Sequence, residues 1–249
     1  MIIGPYINGS AVLIGGVIGA GLSHKIPERV KRSLPLTLGA CSMGMGIIML
    51  FKVQNLPAMV LALILGALIG ELLYIEKGIG VLANKAKGVI AHVAPAPGDA
   101  NDPAVQQEFL VGVVSAIVLF CASGTGVFGS IHEGMTGDPT ILIAKSFLDL
   151  VTAAIFATQL GYIVSIICIP QLIIQLILAY CAVFIVPVAT AHMNADFTAV
   201  GGLIMFVTGM RICKIKVFPI ANMLPALILA MPISAYWEHF AHFLSTFSG

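Results

Sequence analysis

Apolar residues run in long stretches parted by short polar or charged segments. At about 20 residues per helical crossing of a bilayer, the stretches predict spans near 5–22, 35–51, 56–75, 108–127, 139–160, 163–188, 197–213 and 218–237. The weakest division is between the fifth and sixth, where Thr158, Gln159 and Gly161 interrupt a nearly continuous apolar run and Pro170 threatens a kink. Without that division there are seven spans. Between the third and fourth spans, Glu76 to Val93 mixes apolar residues with Lys77, Lys85 and Lys87, which suits a helix lying in the cytoplasmic interface. Its continuation, Ala94 to Gln106, carries three prolines and Gly98 and reads as a linker.

Composition agrees with this pattern. Of 249 residues, 59% are hydrophobic and 9% charged, against about 25% charged in a soluble domain, and the mean hydropathy is +1.06. The net charge of +1 offers no basic excess to neutralise a phosphate backbone, so nucleic acid is excluded as a main partner. The partner to expect is the lipid bilayer, with a small-molecule or ion substrate. The cysteines Cys41, Cys121, Cys168, Cys181 and Cys213 stand singly, without CxxC spacing, and read as small packing residues. Met1 to Ser10 lacks the basic region of a cleaved signal, so the first apolar stretch is expected to remain as a span.

Lys and Arg accumulate in cytoplasmic loops. With the N-terminus outside, the cytoplasmic segments hold Lys25, Arg29, Lys31, Arg32, Lys77, Lys85, Lys87, Arg211, Lys214 and Lys216, ten of the twelve basic residues. Seven spans would put the 211–216 cluster on the wrong side, so the expectation is eight spans with both termini outside.

Leu56-Pro57-Ala58 with Leu61-Ala62 recurs as Leu224-Pro225-Ala226 with Leu229-Ala230, and Asn55 and Asn222 precede the two prolines. In the eight-span topology the two copies run in opposite directions, so spans 1–3 and 6–8 form an inverted repeat. The expected division of the single transmembrane domain, 1–249, is a first repeat at 1–75 and an interfacial helix and linker at 76–107. A central helix pair at 108–160 and a second repeat at 163–240 follow. Secondary transporters often use such repeats, with the site near the midplane. Proline in a helix's first turn also has a purely local explanation.

Only Glu71, Lys145 and Asp149 fall well inside the spans. A charge at the bilayer centre costs about 2.5 to 3.5 kcal/mol even on the lenient insertion scale and usually faces a bundle interior or wet cavity. Lys145 and Asp149, four apart, share a helical face that Thr152 extends, and Lys before Asp is the weaker order for an intrahelical pair. They are candidates for binding a substrate or coupling ion, with a structural ion pair as the alternative. Glu71 lies near the cytoplasmic end of its span, where reaching interfacial water is the alternative.

Ser123-Gly124-Thr125-Gly126, then Gly129-Ser130 and Gly134 to Asp138, should interrupt helical order just before the charged helix. Broken helices of this kind line transporter sites. The alternative is an ordinary external loop with His132 and Glu133 solvated. Asp138 before Pro139 reads as a helix cap. Gln171 with Gln175, and Asn8 with Ser10, either coordinate a substrate or join helices. Gly15 to Gly19 and Ala62 to Gly66 to Gly70 allow close helix approach and are candidate contacts for a second copy. Enzyme motifs such as HExxH and the Gly-x-Ser-x-Gly elbow are missing, and Glu238, His239 and His242 are weak as a metal site, so neither metal nor cofactor is expected beyond a coupling H+ or Na+.

Ile3-Gly4-Pro5 with Asn8, Asn55 through Met59 to Gly66 through Glu71, and Gly129 through Gly137-Asp138 to Lys145-Ser146 and Asp149 carry a resemblance over nearly the whole chain. The chain resembles the YqgA/YdfK family of uncharacterised bacterial inner-membrane proteins. That resemblance implies location, architecture and a role in transport without an assigned substrate or site. The function to expect is therefore a secondary transporter of a small polar or anionic solute, against a channel or a non-transporting membrane scaffold.

Overall fold

The structure is a computed structural model that describes residues 1–23, 25–85 and 103–247. Among these residues every regular element is a helix. They are α1 (Gly4–Gly21), α2 (Glu28–Leu50), α3 (Leu56–Leu72), α4 (Ile75–Lys85), α5 (Pro103–Cys121), α6 (Gly124–Thr136), α7 (Thr140–Leu160), α8 (Ile163–Ile166), α9 (Cys168–Val183), a 3-10 turn (Val186–Val188), α10 (Ala191–Ile212), α11 (Ile220–Met223) and α12 (Pro225–Phe247). The expected linker lies largely outside the described residues.

Six helical segments are long and apolar enough to cross a membrane, or seven if the bent pair of α3 and α4 is one span. The count of eight is not reached on that measure, for local reasons. Six glycines with Pro5, Asn8 and Ser10 dilute the apolar content of α1, while α3 has 17 residues, the short limit for a crossing. Tyr74 takes a left-handed φ of 52°, and α4 leaves the α3 axis by 48°. The doubted fifth and sixth spans are separate, because Gly161 at φ 70° ends α7. The helix breaks again at Ile167, next to the carbonyl Pro170 leaves without a donor.

Two compact units emerge, Met1–Leu36 with Lys77–Val183 and Thr37–Glu76 with Phe184–Gly249, and they cut across the expected repeat boundaries. In the first unit α1 and α7 run parallel with backbones in contact. A β-carbon at Gly15 would stand 2.2 Å from the Leu150 carbonyl oxygen, and one at Gly19 would stand 2.1 Å from that of Ala154. Val12, Val113, Phe120, Ala153, Ala157 and Val164 centre an apolar core made by α1, α5, α7 and α8.

The second unit packs α3 antiparallel to α12 and the short α11 before it, with Gly66 against Ala226 of α12 and Gly70 against Asn222 of α11. The two Leu-Pro-Ala copies therefore open the two members of one antiparallel pair. At one end buried Asp196 accepts the Gln54 and Asn55 N–H groups, both at 2.8 Å, together with Asn55 Nδ2 and Ser234 Oγ. At the other, Asn222 donates to Glu71, and Glu76 accepts Arg211 Nη1 at 2.7 Å and the Ala221 N–H at 3.1 Å. Gly39 with Gly209, and Gly46 with Gly202, bring α2 and α10 to backbone contact. The small-residue rows offered as contacts for a second copy are thus occupied within their own units.

The bilayer is legible in α9, which exposes Ile169, Ile173, Ile177 and Tyr180 along one side and buries Gln171, Gln175 and Ala179 on the other. A soluble helix would be arranged the other way round. The chain is a multi-pass membrane protein.

Candidate functional site

The first unit assembles its polar side chains around Asp149. Lys145, 3% exposed, lies one turn before it on α7, and its ammonium donates to Asp149 Oδ2. Asn8 Nδ2 of α1 and Gln171 Nε2 of α9 donate to the same oxygen, each at 2.9 Å. Asn8 Oδ1 in turn accepts Gln171 Nε2 at 2.6 Å and Gln175 Nε2 at 2.7 Å. Three helices are tied through one carboxylate and one amide.

The carboxylate dictates the direction of each bond. An ionised Asp149 only accepts, so Asn8 must turn its NH2 group toward it and its oxygen toward α9. Both glutamines must then meet Asn8 with their NH2 groups. Gln171 Oε1 and Gln175 Oε1 are consequently left out of these bonds, and both are buried without a hydrogen-bond partner. Orphaned buried acceptors of this kind are rare in folded proteins and call for an explanation, such as an ordered water, an ion or a functional role.

A broken helix reaches the same place. The stretch Phe109–Thr136 is one 28-residue apolar segment, and helical bonding fails only at Ala122 and Ser123, near its middle. Ser123 Oγ caps the restarted helix by accepting the Gly126 N–H at 3.1 Å. Gly126 is where the parts converge, since a β-carbon there would meet Ser123 Oγ at 2.8 Å, Lys145 Cε at 3.0 Å and Gln175 Nε2 at 3.3 Å. The amide-rich start of α6, with Gly124 and Thr125 buried, is thereby set beside the Lys145 side chain.

Glu133, 1% exposed on α6, positions α1. Its Oε1 accepts the Ile3 N–H at 2.7 Å and the Gly4 N–H at 2.9 Å, which satisfies donors that a helix start leaves open and fixes the height of Asn8 one turn later. A side chain at Gly4 would occupy the carboxylate's place, 2.2 Å from Glu133 Oε2.

Of the sequence candidates, the structure brings together Lys145, Asp149, Ser123 and Gly126, with Gly124 and Thr125 buried between Ser123 and Gly126 at the start of α6. Thr152 stays outside the network and back-bonds to the Leu148 carbonyl at 2.7 Å. Glu71 belongs to the second unit, is exposed and receives Asn222 Nδ2, so the interfacial alternative describes it better. The external loop is corrected to a buried helix, α6, carrying His132 and Glu133 inside. Asp138 accepts the Thr140 N–H at 3.0 Å, acting from one residue outside the cap position.

Asn8, Gln171 and Gln175 are nearer to Asp149's chemistry than several residues the sequence favoured. Their signal was present as amides in apolar spans, two of them four residues apart. Among the described residues no group of three or more His, Cys, Asp or Glu is placed to hold a metal ion. The side chains of Glu238, His239 and His242 lie outside the described ones.

A family model described as a protein of unknown function (DUF554) matches residues 3–235. The uncharacterised protein YqgA of Escherichia coli K12 is 56% identical over 237 residues, covering 95% of this chain and 98% of that protein. The uncharacterised membrane protein YdfK of Bacillus subtilis 168 is 23% identical over 232 residues, covering 91% and 93%. No solved structure matches the chain.

Proposed function

Because the chain belongs to this family of uncharacterised membrane proteins, DUF554, we propose a function from its own buried chemistry: secondary transport of a small polar or anionic solute across the bacterial inner membrane. The observation that carries the reading is the buried Lys145 side chain at the first turn of α6, in the middle of an apolar stretch. A helix N-terminus presents amide donors and a positive dipole end, and an ammonium beside it supplies the full charge. An anionic group docked there takes Lys145 as its counter-ion. The solute is carried without chemical change.

A merely structural pair would leave the rest of the arrangement without purpose. Interrupting a helix, placing glycine where side chains converge and orphaning two carbonyls all cost stability, and none of them is needed to neutralise Asp149. The finer architecture belongs to the same proposal: eight crossings, both termini outside, and spans 1–3 and 6–8 as inverted copies. The antiparallel pairing of α3 with α12 supports it.

The test is a thermal-stabilisation screen of purified protein against carboxylates, phosphates and neutral polar metabolites, followed by proteoliposome uptake of each hit. An anionic stabiliser that is taken up by the wild type and has no effect on Lys145→Met is the expected result. Equal stabilisation and uptake in both would sink the reading and favour a channel or scaffold.

A further inference from the structure

The orphaned groups at this site are all of one kind. The side-chain carbonyls of Gln171 and Gln175, 0% and 2% exposed, have no partner, while both of their NH2 groups are engaged on Asn8. The cluster therefore has acceptors in excess. Acceptors are satisfied by a donor or by a metal cation, and neutral oxygens with one carboxylate are the ligands of hard cations.

Charge narrows the class further. Lys145 and Asp149 cancel, so an anion alone would leave a buried uncompensated charge, which is strongly disfavoured. One positive charge restores neutrality, and two would overshoot. We propose that Asp149, with the carbonyls of Gln171 and Gln175, binds a small monovalent cation, and that this cation is the coupling ion of the transporter. The single charge and the coupling role rest on the transport reading above; the unpartnered carbonyls of Gln171 and Gln175 do not.

The two ligands exchange partners through Lys145. While its ammonium sits on Asp149, a second cation there is repelled by the like charge. A solute anion at the start of α6 draws the ammonium off the carboxylate, and the freed carboxylate then takes the cation. Each ligand favours the state the other needs, so each must raise the other's affinity by the same factor.

The experiment measures thermal unfolding of the purified full chain in chloride salts of lithium, sodium, potassium or N-methylglucamine, at constant pH and ionic strength. One of the small cations should raise the unfolding temperature with concentration. The rise should persist or grow in Lys145→Met, which removes the competitor, and vanish in Asp149→Asn and Gln175→Met. The anion found by the screen should bind about tenfold more tightly in that salt. If Asp149→Asn does not fold, Gln175→Met decides alone. Absence of any small-cation effect in both wild type and Lys145→Met overturns the site, as does an undiminished effect in Gln175→Met. A cation effect that depends on Gln175, alongside solute binding indifferent to Lys145, would keep the cation site and remove the anion reading; the reverse pattern would do the opposite.

Discussion

Two double variants separate the ion pair from the amide network it anchors. Asp149 Oδ2 serves the Lys145 ammonium and two buried amides, Asn8 Nδ2 and Gln171 Nε2. Lys145→Met with Asp149→Ala removes both charges and also the acceptor, and Lys145→Met with Asp149→Asn removes the charges but leaves an amide oxygen in its place. Loss of the ion pair is common to both, so it cancels in the comparison. What differs is two orphaned buried donors, at about 1 to 3 kcal/mol each, so the alanine double should be the less stable by about 2 to 6 kcal/mol. At about 2 to 4 °C per kcal/mol for a chain of this size, the thermal unfolding midpoints should lie at least about 4 °C apart. Both doubles lack Lys145 and should be silent in uptake. Midpoints that coincide would refute the claim that Asp149 holds the two amides. A well-folded asparagine double that transports at the wild-type rate would leave Lys145 and Asp149 as structure alone.

Gly126→Ala improves helix propensity by about 0.5 to 1 kcal/mol and crowds a cap worth about 1 kcal/mol. Its stability should therefore stay within about 1 kcal/mol of wild type, with uptake down at least about tenfold as Lys145 and Gln175 are displaced; unchanged uptake counts against the site. Glu133→Ala gives up two hydrogen bonds to a charged acceptor, about 3 to 6 kcal/mol in all, and Glu133→Gln should recover much of that in thermal unfolding; equal losses would show that capping of α1 is not the residue's role. Cysteines placed at positions 29 and 214 should be labelled from the cytoplasmic side and those at 138 and 191 from outside. Positions 29 and 214 on opposite sides would remove both the eight-span topology and the inverted repeat.

The helices were legible where apolar length alone decides, as in α7, and least legible where a backbone device intervenes. Tyr74 shows no sequence cue for its left-handed turn, and the glycines of α1 read as packing positions without naming α7 as their partner. In the site, Lys145 and Asp149 stood out because a charge in an apolar run is conspicuous from one segment. Asn8 and the two glutamines were visible but ambiguous, since their meaning lies in partners up to 167 positions away. Glu133 was hidden by its setting, because a stretch rich in Gly, Thr and Ser reads as a loop until its far neighbours, Ile3 and Gly4, are known to need an acceptor.

The clamp on α1 has a bearing on the order of assembly. α1 is the first helix made, yet the carboxylate that caps it is 129 positions further on and the amides that engage Asn8 are 163 and 167 positions away. Until α6 and α7 have been synthesised, α1 waits with an uncapped start and a bare glycine track, and until α9 follows, Asn8 lacks its two glutamines. Non-local contacts of this reach can be rewarded only late. Docking of α1 is therefore complete only when α9 arrives, and a chain stopped before residue 133 should still offer Asn8 and Gly4 to any helix that happens to be near, a vulnerability confined to the interval of synthesis.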